Sequence, residues 1–322
     1  KACGRGIFKR QKFGPNSRPV CSASNSDTAV ALREKAIVAH FSSPQRRGFF
    51  DSMPLAVKPR RMDFPFKQTQ RQHFFDDNPL KSAYIAALSA TFPAGEGEFI
   101  ESVRLFQKQI EDPELCRQIK GFIGQEGHHS HQHKQMNKQL QALGFEVDRL
   151  ERHLEKDIEK LRAEQPARVR LALTVGMEHI TAIMADHALN NPDTFGEMDE
   201  PIRELLLWHA VEEIEHKSVA FDVFMRCDGD RDLLRKAMKL EALMFMFRIG
   251  SYIFKLMWWS RTLPRWRHIK SFYGYLFGKK GVVRSVRGPY KDYFRQDFHP
   301  WDHDNRELLT QWNEEHNNFK II

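Results

Sequence analysis

Cysteine is scarce and unpatterned. The 322-residue chain has only Cys3, Cys21, Cys116 and Cys227, with no CxxC or framework spacing. That excludes a zinc finger or a disulfide-stapled scaffold and points to reduced thiols in a cytosolic setting. Strand-like alternation is nearly absent, which excludes sheet architectures. No charge-free run reaches the ~18 residues of a membrane-spanning helix, and no secretory apolar core stands out. Acidic charge is missing from two segments. Residues 1–72 hold fifteen Lys/Arg against four Asp/Glu, and residues 248–295 hold twelve against one, so each is +11 and the remainder of a +8 chain is −14. No nucleic-acid module accompanies these basic flanks, and the acidic middle argues against a nucleic-acid partner. An anionic membrane surface or an acidic redox partner fits at least as well.

Residues 1–50 are rich in Ser, Arg, Gly and Pro without periodicity. They read as part of a flexible basic tail over 1–60, followed by a helical bundle over 61–230 and a C-terminal helical extension over 231–322. Helices are expected at 79–90, 93–111, 113–143, 147–163, 166–190, 200–226 and 230–262. Turn signals separate them, such as Asp112-Pro113, Gly144 and Asn191-Pro192. The fold class is all-α.

The stretch WHAVEEIEHKSVAFD, residues 208–222, places ionisable groups where a buried helix keeps aliphatic ones. At about 100° per residue, His209, Glu213 and His216 fall within about 60° of one another on the face of Ile202, Leu206 and Ala220. Glu212 and Glu215 project elsewhere and read as solvated charges. Unpaired polar groups on a core face cost several kcal/mol, so a ligand is expected there.

A helix-bundle dimetal site needs one Glu from each of two helices and a Glu-x-x-His pair from each of two others. The chain supplies this set in order. In FIGQEGHHSHQH, Glu126, His129 and His133 lie on the buried face of Leu115, Ile119 and Phe122, whereas His128 and His131 point away. Glu126 and His129 form the first pair. His133, one turn on, is a ligand, a group supporting one, or a satisfied core histidine. Glu213 and His216 form the second pair, and His209 adds a nitrogen. Glu178 is the lone Glu of helix 166–190 and shares a face with Leu171, Ala182 and Leu189. In helix 93–111, Glu96 falls on the stripe of Phe92, Phe99 and Val103, whereas Glu98 and Glu101 do not. The expected metal residues are therefore Glu96, Glu126, His129, Glu178, His209, Glu213 and His216. Four carboxylates neutralise two divalent ions. A Glu/His set without thiolate suits two iron ions, and manganese or a mixed pair also fits.

This set resembles the ligands of ferritin-like di-iron carboxylate proteins, and with His209 it resembles the arylamine N-oxygenases. More closely, FPAGEGEFIESVR, QEGHHSHQH, WHAVEEIEHKSVAFDV and FHPWD resemble the bacterial family called predicted metal-dependent hydrolases, over about residues 60–305. The resemblance implies a ferritin-like bundle with a dinuclear metal site, O2 as co-substrate, and an electron donor such as a ferredoxin or reductase. It also implies Glu96 and His129 on one iron, His209 and His216 near the other, Glu126 and Glu213 as bridges, and Glu178 terminal or bridging. The expected activity is oxidation of an apolar substrate, a lipid or fatty-acyl chain among the candidates. A dinuclear hydrolase that generates hydroxide near neutral pH is the second reading.

The segment LEALMFMFRIGSYIFKLMWWSRTLPRWRHIK, residues 240–270, is apolar but interrupted by Arg248 and Lys255 and followed by more cations. It reads either as a core helix closing the bundle or as an interfacial helix on anionic lipid at the inner face of the membrane. A tunnel lining or a homodimer contact stays open.

Overall fold

The computed structural model describes residues 56–315 and 320–321, so the tail expected over 1–60 falls almost wholly outside the described residues. Within them the chain is all-α apart from a short antiparallel pairing of Arg60–Arg61 (β1) with Lys320–Ile321 (β2) and a single antiparallel bridge between Phe75 and Met198. The helices are α1 (Pro79–Ser89), α2 (Phe92–Gln107), α3 (Pro113–Ala142), α4 (Val147–Glu164), α5 (Ala167–Asn190), α6 (Glu200–His216), α7 (Val219–Cys227), α8 (Arg231–Trp259), α9 (Trp266–Phe277), α10 (Val282–Asp292) and α11 (Arg306–Glu315).

Their ends follow local chemistry. Asn78, Asp112 and Asp230 cap α1, α3 and α8 by accepting from backbone N–H groups, as in Glu114 N to Asp112 Oδ1 at 2.9 Å. Pro113 opens α3 at a position that needs no N–H donor. Gly144 lies just past its end with φ +93°, a left-handed conformation that favours glycine.

One expectation changes and another gains detail. The helix expected over 200–226 is interrupted at Lys217–Ser218. There Lys217 turns its ammonium to the His303 carbonyl (2.6 Å) and Asn305 Oδ1 (2.7 Å). Helices α9, α10 and α11 fall within the helical extension expected over 231–322, where the pattern delimits no individual helix beyond 262. They are only ten to twelve residues long, and α10 carries an internal Pro289, so each offers few turns of pattern despite its apolar and polar faces.

Helices α2, α3, α6 and α5 pack in a closed ring, each against the next, and form the ferritin-like four-helix bundle. Around it, α4 covers α2 and α3, α8 lies along α5 and α1, α7 closes on α5 and α3, and α11 packs on α6. The FHPWD motif forms a turn against the start of α7, with His299 Nε2 at 3.0 Å from Asp222 Oδ1 and Trp301 Nε1 donating to Ser218 Oγ at 3.2 Å. Residues 208–221 are all buried, so the C-terminal half of α6 is enclosed on every side.

That enclosure depends on the segment 57–60, which crosses α3 where the helix carries two glycines. A Cβ at Gly121 would sit 2.1 Å from the Val57 carbonyl oxygen, and one at Gly124 would sit 2.4 Å from Pro59 Cγ. Gly121→Ala should therefore destabilise the fold by about 1–3 kcal/mol, because backbone must move. Gly127→Ala, with nothing within 4 Å, should be neutral or stabilising by up to about 1 kcal/mol. Denaturant titration of both variants measures this; equal effects would show that segment 57–60 does not press on α3.

Candidate metal centre

The ring of helices points one set of polar side chains inward. Glu96 comes from α2, Glu126 and His129 from α3, Glu178 from α5, and His209, Glu213 and His216 from α6, all buried. All seven expected residues are thus brought together. Their atoms converge in overlapping groups within 4.8 Å: Glu96, Glu126 and His129; Glu126, Glu178 and His216; His129, His209 and Glu213; and Glu96, His133 and His209. By contrast, Glu98 leaves the cluster and binds Arg170 (2.7 and 3.1 Å) and Arg162 (2.6 Å). His131 is exposed and His128 half-buried.

Both carboxylate oxygens of Glu96, Glu126 and Glu178, together with His129 Nδ1 and His216 Nε2, are buried without a hydrogen-bond partner among the described residues. A desolvated acceptor left unpaired costs about 1–3 kcal/mol, and more when charged. His216 Nε2 lies 3.1 Å from Glu126 Oε1, where one proton can join them; the other six atoms, aimed into the same space, fit bound cations.

The imidazoles are set to receive them. His129 Nε2 donates to Glu212 Oε2 at 3.0 Å, which turns the Nδ1 lone pair toward the cluster. Gln125 donates its amide to Glu215 Oε2 (2.7 Å), so its Oε1 accepts from His216 Nδ1 (3.0 Å) and His216 Nε2 faces inward. The third chain is longer. Asn137 donates to the Ser89 carbonyl (3.0 Å) and to Glu151 (2.8 Å), so its Oδ1 takes the Ser89 hydroxyl proton at 2.6 Å. Ser89 Oγ then accepts from His133 Nδ1 (2.9 Å), His133 Nε2 accepts from His209 Nδ1 (2.8 Å), and His209 Nε2 presents its lone pair to Glu213 Oε1 at 2.9 Å. At that separation a proton on His209 or a bound cation joins the two atoms. Each inner nitrogen is thereby fixed by the bond its outer nitrogen makes. Both ring nitrogens of His133 are engaged, so it positions His209.

Two sequence expectations need correction. Glu212 and Glu215 are not solvated: they are 0% and 6% exposed. Arg60 binds both, through Nη1 to Glu212 (3.3 Å) and Nη1 to Glu215 (2.7 Å), and its backbone N–H also reaches Glu212 (3.1 Å). Projecting one helix assumes that the face opposite the core meets water, whereas α6 meets the segment carrying Arg60 there. The available signal was the absence of Lys, Arg or Gln from Trp208 to His216. Second, His209 lies beside Glu96 and His129, not with His216. Its ring stacks on His129 with centroids 4.0 Å apart. Seven residues separate His209 from His216, a rise of about 10 Å along the helix, which places them at opposite ends of the cluster. Arg60, Gln125, Ser89 and Asn137 carried no sequence signal as supporting groups.

The electrostatics have the same origin. Burial, reinforced by Glu126, Glu213 and Glu178, holds the Glu96 carboxyl well above the usual range, and burial with Glu126 does the same to Glu178. Burial likewise raises Glu126. Burial opposes ionisation of Glu213 as well, but His216 and His209 outweigh it and hold that carboxyl well below its ordinary value. Burial and His209 push His129 and His133 well down, so both rings are neutral.

A cavity of about 560 Å3 reaches the cluster at Glu96, His209 and Glu213. Its walls include Phe92, Phe99, Leu173, Met177, Met184 and Phe245. Thr181 also lines it and donates to Glu213 Oε2.

Residues 58–304 match the family model described as predicted metal-dependent hydrolase. The chain belongs to that family. No curated protein and no solved structure matches it. For this member of the family, the donors present fit two divalent ions. Glu96, His129 and His209 would hold one, Glu178 and His216 the other, and Glu126 and Glu213 lie where they reach both groups.

Metal-free protein should lose stability as pH rises above neutrality. The folded carboxyls of Glu96 and Glu178 are raised above their unfolded values. Their contribution is complete below the ordinary carboxylate range and is lost as pH rises through the raised values. The lowered rings of His129 and His133 act in the opposite sense below the ordinary imidazole range, so thermal melts of chelator-treated protein should show Tm falling between about pH 7 and about pH 8.5. Added divalent ion should reverse the slope, because protons compete for the same ligands. A pH-independent Tm without metal would show that these carboxyls are not desolvated.

Proposed function

We propose that this protein is a dinuclear iron enzyme that uses O2 to oxidise an apolar substrate, with a fatty-acyl or other lipid chain as the favoured class. The observation that carries the reading is the largely apolar cavity that ends on Glu96, His209 and Glu213. Such a space takes up O2 and hydrocarbon readily, because both leave water at little cost. Two redox-active ions held by the seven residues would supply electrons to O2 and oxidise a substrate C–H or N–H bond. A ferredoxin or reductase outside this chain supplies the reducing equivalents. Manganese or a mixed pair also suits the donors.

The chain's own residues bind, orient and exclude water. Phe92, Phe99 and Met177 take the substrate by hydrophobic burial and keep solvent from the carboxylates. Thr181 Oγ1 holds a proton at Glu213 Oε2, on the cavity side of the cluster. His133 and Glu212 keep the His209 and His129 rings aimed inward. Hydrolysis is the second reading, favoured by the family's description. The apolar walls weigh against it, since a hydrolytic site must admit water and a polar scissile group.

Purified protein should carry about two metal ions per chain, iron favoured. Glu126→Ala or Glu213→Ala should strip both ions, whereas His128→Ala should leave metal content unchanged. Full occupancy in both Glu variants would remove the site assignment. Chemically reduced protein should consume O2, faster with long-chain acyl substrates present. Ester or amide cleavage that proceeds equally without O2 would decide for the hydrolase.

A further inference from the structure

Thirteen of the fourteen exposed large apolar side chains among the described residues lie within residues 240–283. On α8 they form a stripe. Leu240, Leu243, Met244, Phe247, Phe254 and Trp258 fall within about 100° of arc along about 27 Å of helix. Phe247 is 77% exposed and Trp258 71%. The opposite face buries Leu234, Met238, Ile249, Tyr252 and Leu256 against the bundle. The stripe continues into the turn after α8, where Leu263 is 91% exposed, and onto α9 with Trp266 and Tyr273. Scattered exposed apolar residues need no explanation; a continuous strip of this size does.

Its charge says what covers it. Residues 242–291 contain eleven Lys/Arg and no Asp or Glu. Nine of these cations are exposed, from Arg261 to Lys291, and none pairs with a carboxylate among the described residues. A second copy docking face to face would set these cations against each other. An anionic lipid surface satisfies both features at once, with aromatic and aliphatic groups in the headgroup boundary and cations against phosphates. No helix among the described residues is long and apolar enough to cross a membrane. A flat, in-plane contact is what remains.

We propose that the outer face of α8 and α9 docks this protein on an anionic lipid bilayer. Leu240 and Met244 belong both to the exposed stripe and to the wall of the cavity. The cavity therefore opens at the docking face and receives an acyl chain from the bilayer without passage through water. The docking itself stands independently; only the delivery of a substrate rests on the function proposed above.

The test is flotation of the full-length, metal-loaded protein with vesicles of phosphatidylcholine, alone or containing phosphatidylglycerol. Binding should require phosphatidylglycerol and weaken as salt rises, because attraction is screened within about 10 Å at 0.1 M. The double variant Phe247→Glu, Trp258→Glu should bind at least about tenfold more weakly, having lost the inserted aromatics. The triple variant Arg265→Gln, Arg267→Gln, Lys270→Gln should lose roughly a hundredfold, at about a factor of five per cation. Both should keep wild-type helicity and metal content, since these side chains are exposed. Equal binding to neutral vesicles, or undiminished binding by both variants, would overturn the proposal and assign the contact elsewhere. No flotation, together with a dimer abolished by Phe247→Glu, would make the face a self-association surface instead. Intact flotation with no O2-dependent chemistry would count against the proposed function alone.

Discussion

Glu96, Glu126, Glu178 and Glu213 lie together in one desolvated interior. Carboxylates that close raise one another's proton affinity and cannot all ionise without positive charge among them. The neutral rings of His129 and His133 show that histidine protons do not supply that charge alone. Two divalent ions would, and the remaining architecture suits holding them. The four helices must close as a ring, because each donates carboxylates or imidazoles from only one face.

Behind the donors stands a second layer that is itself charged. Arg60 binds Glu212, which fixes His129, and Glu215, which fixes Gln125 and through it His216. One cation from a segment outside the bundle thus orients an imidazole on each of two helices. Close contact of that segment with α3 depends on Gly121 and Gly124. Burying Glu212 and Glu215 would be unfavourable without the guanidinium, so the N-terminal segment completes the centre's support.

Helix α8 resolves the ambiguity of its sequence by serving two environments. One face closes the bundle, and the other carries the exposed stripe. An all-round apolar helix ordinarily signals complete burial or a membrane. Here the expected core helix is one side of the element, the exposed stripe proposed above as a lipid contact is the other, and Leu240 and Met244 of that stripe also line the cavity.

The sequence by itself determined the all-α class, the main bundle helices and the seven inward-facing donors. These depend on helical periodicity and on the Glu-x-x-His spacing, both local to one element. Single-helix projection found Glu178 because it was the only Glu among aliphatic neighbours, and it separated Glu96 from Glu98 by angle alone. Tertiary structure decided what lies behind each helix. Glu212 and Glu215 look solvated until Arg60, some 150 residues away in sequence, covers them. His133 is separated from a ligand role only by the chain from Asn137 through Ser89, which spans two helices. The grouping of His209 with Glu96 and His129 likewise depends on how α6 sits against α2 and α3. A periodic pattern records which face turns inward; which partner waits there is set by packing between elements that are distant in sequence.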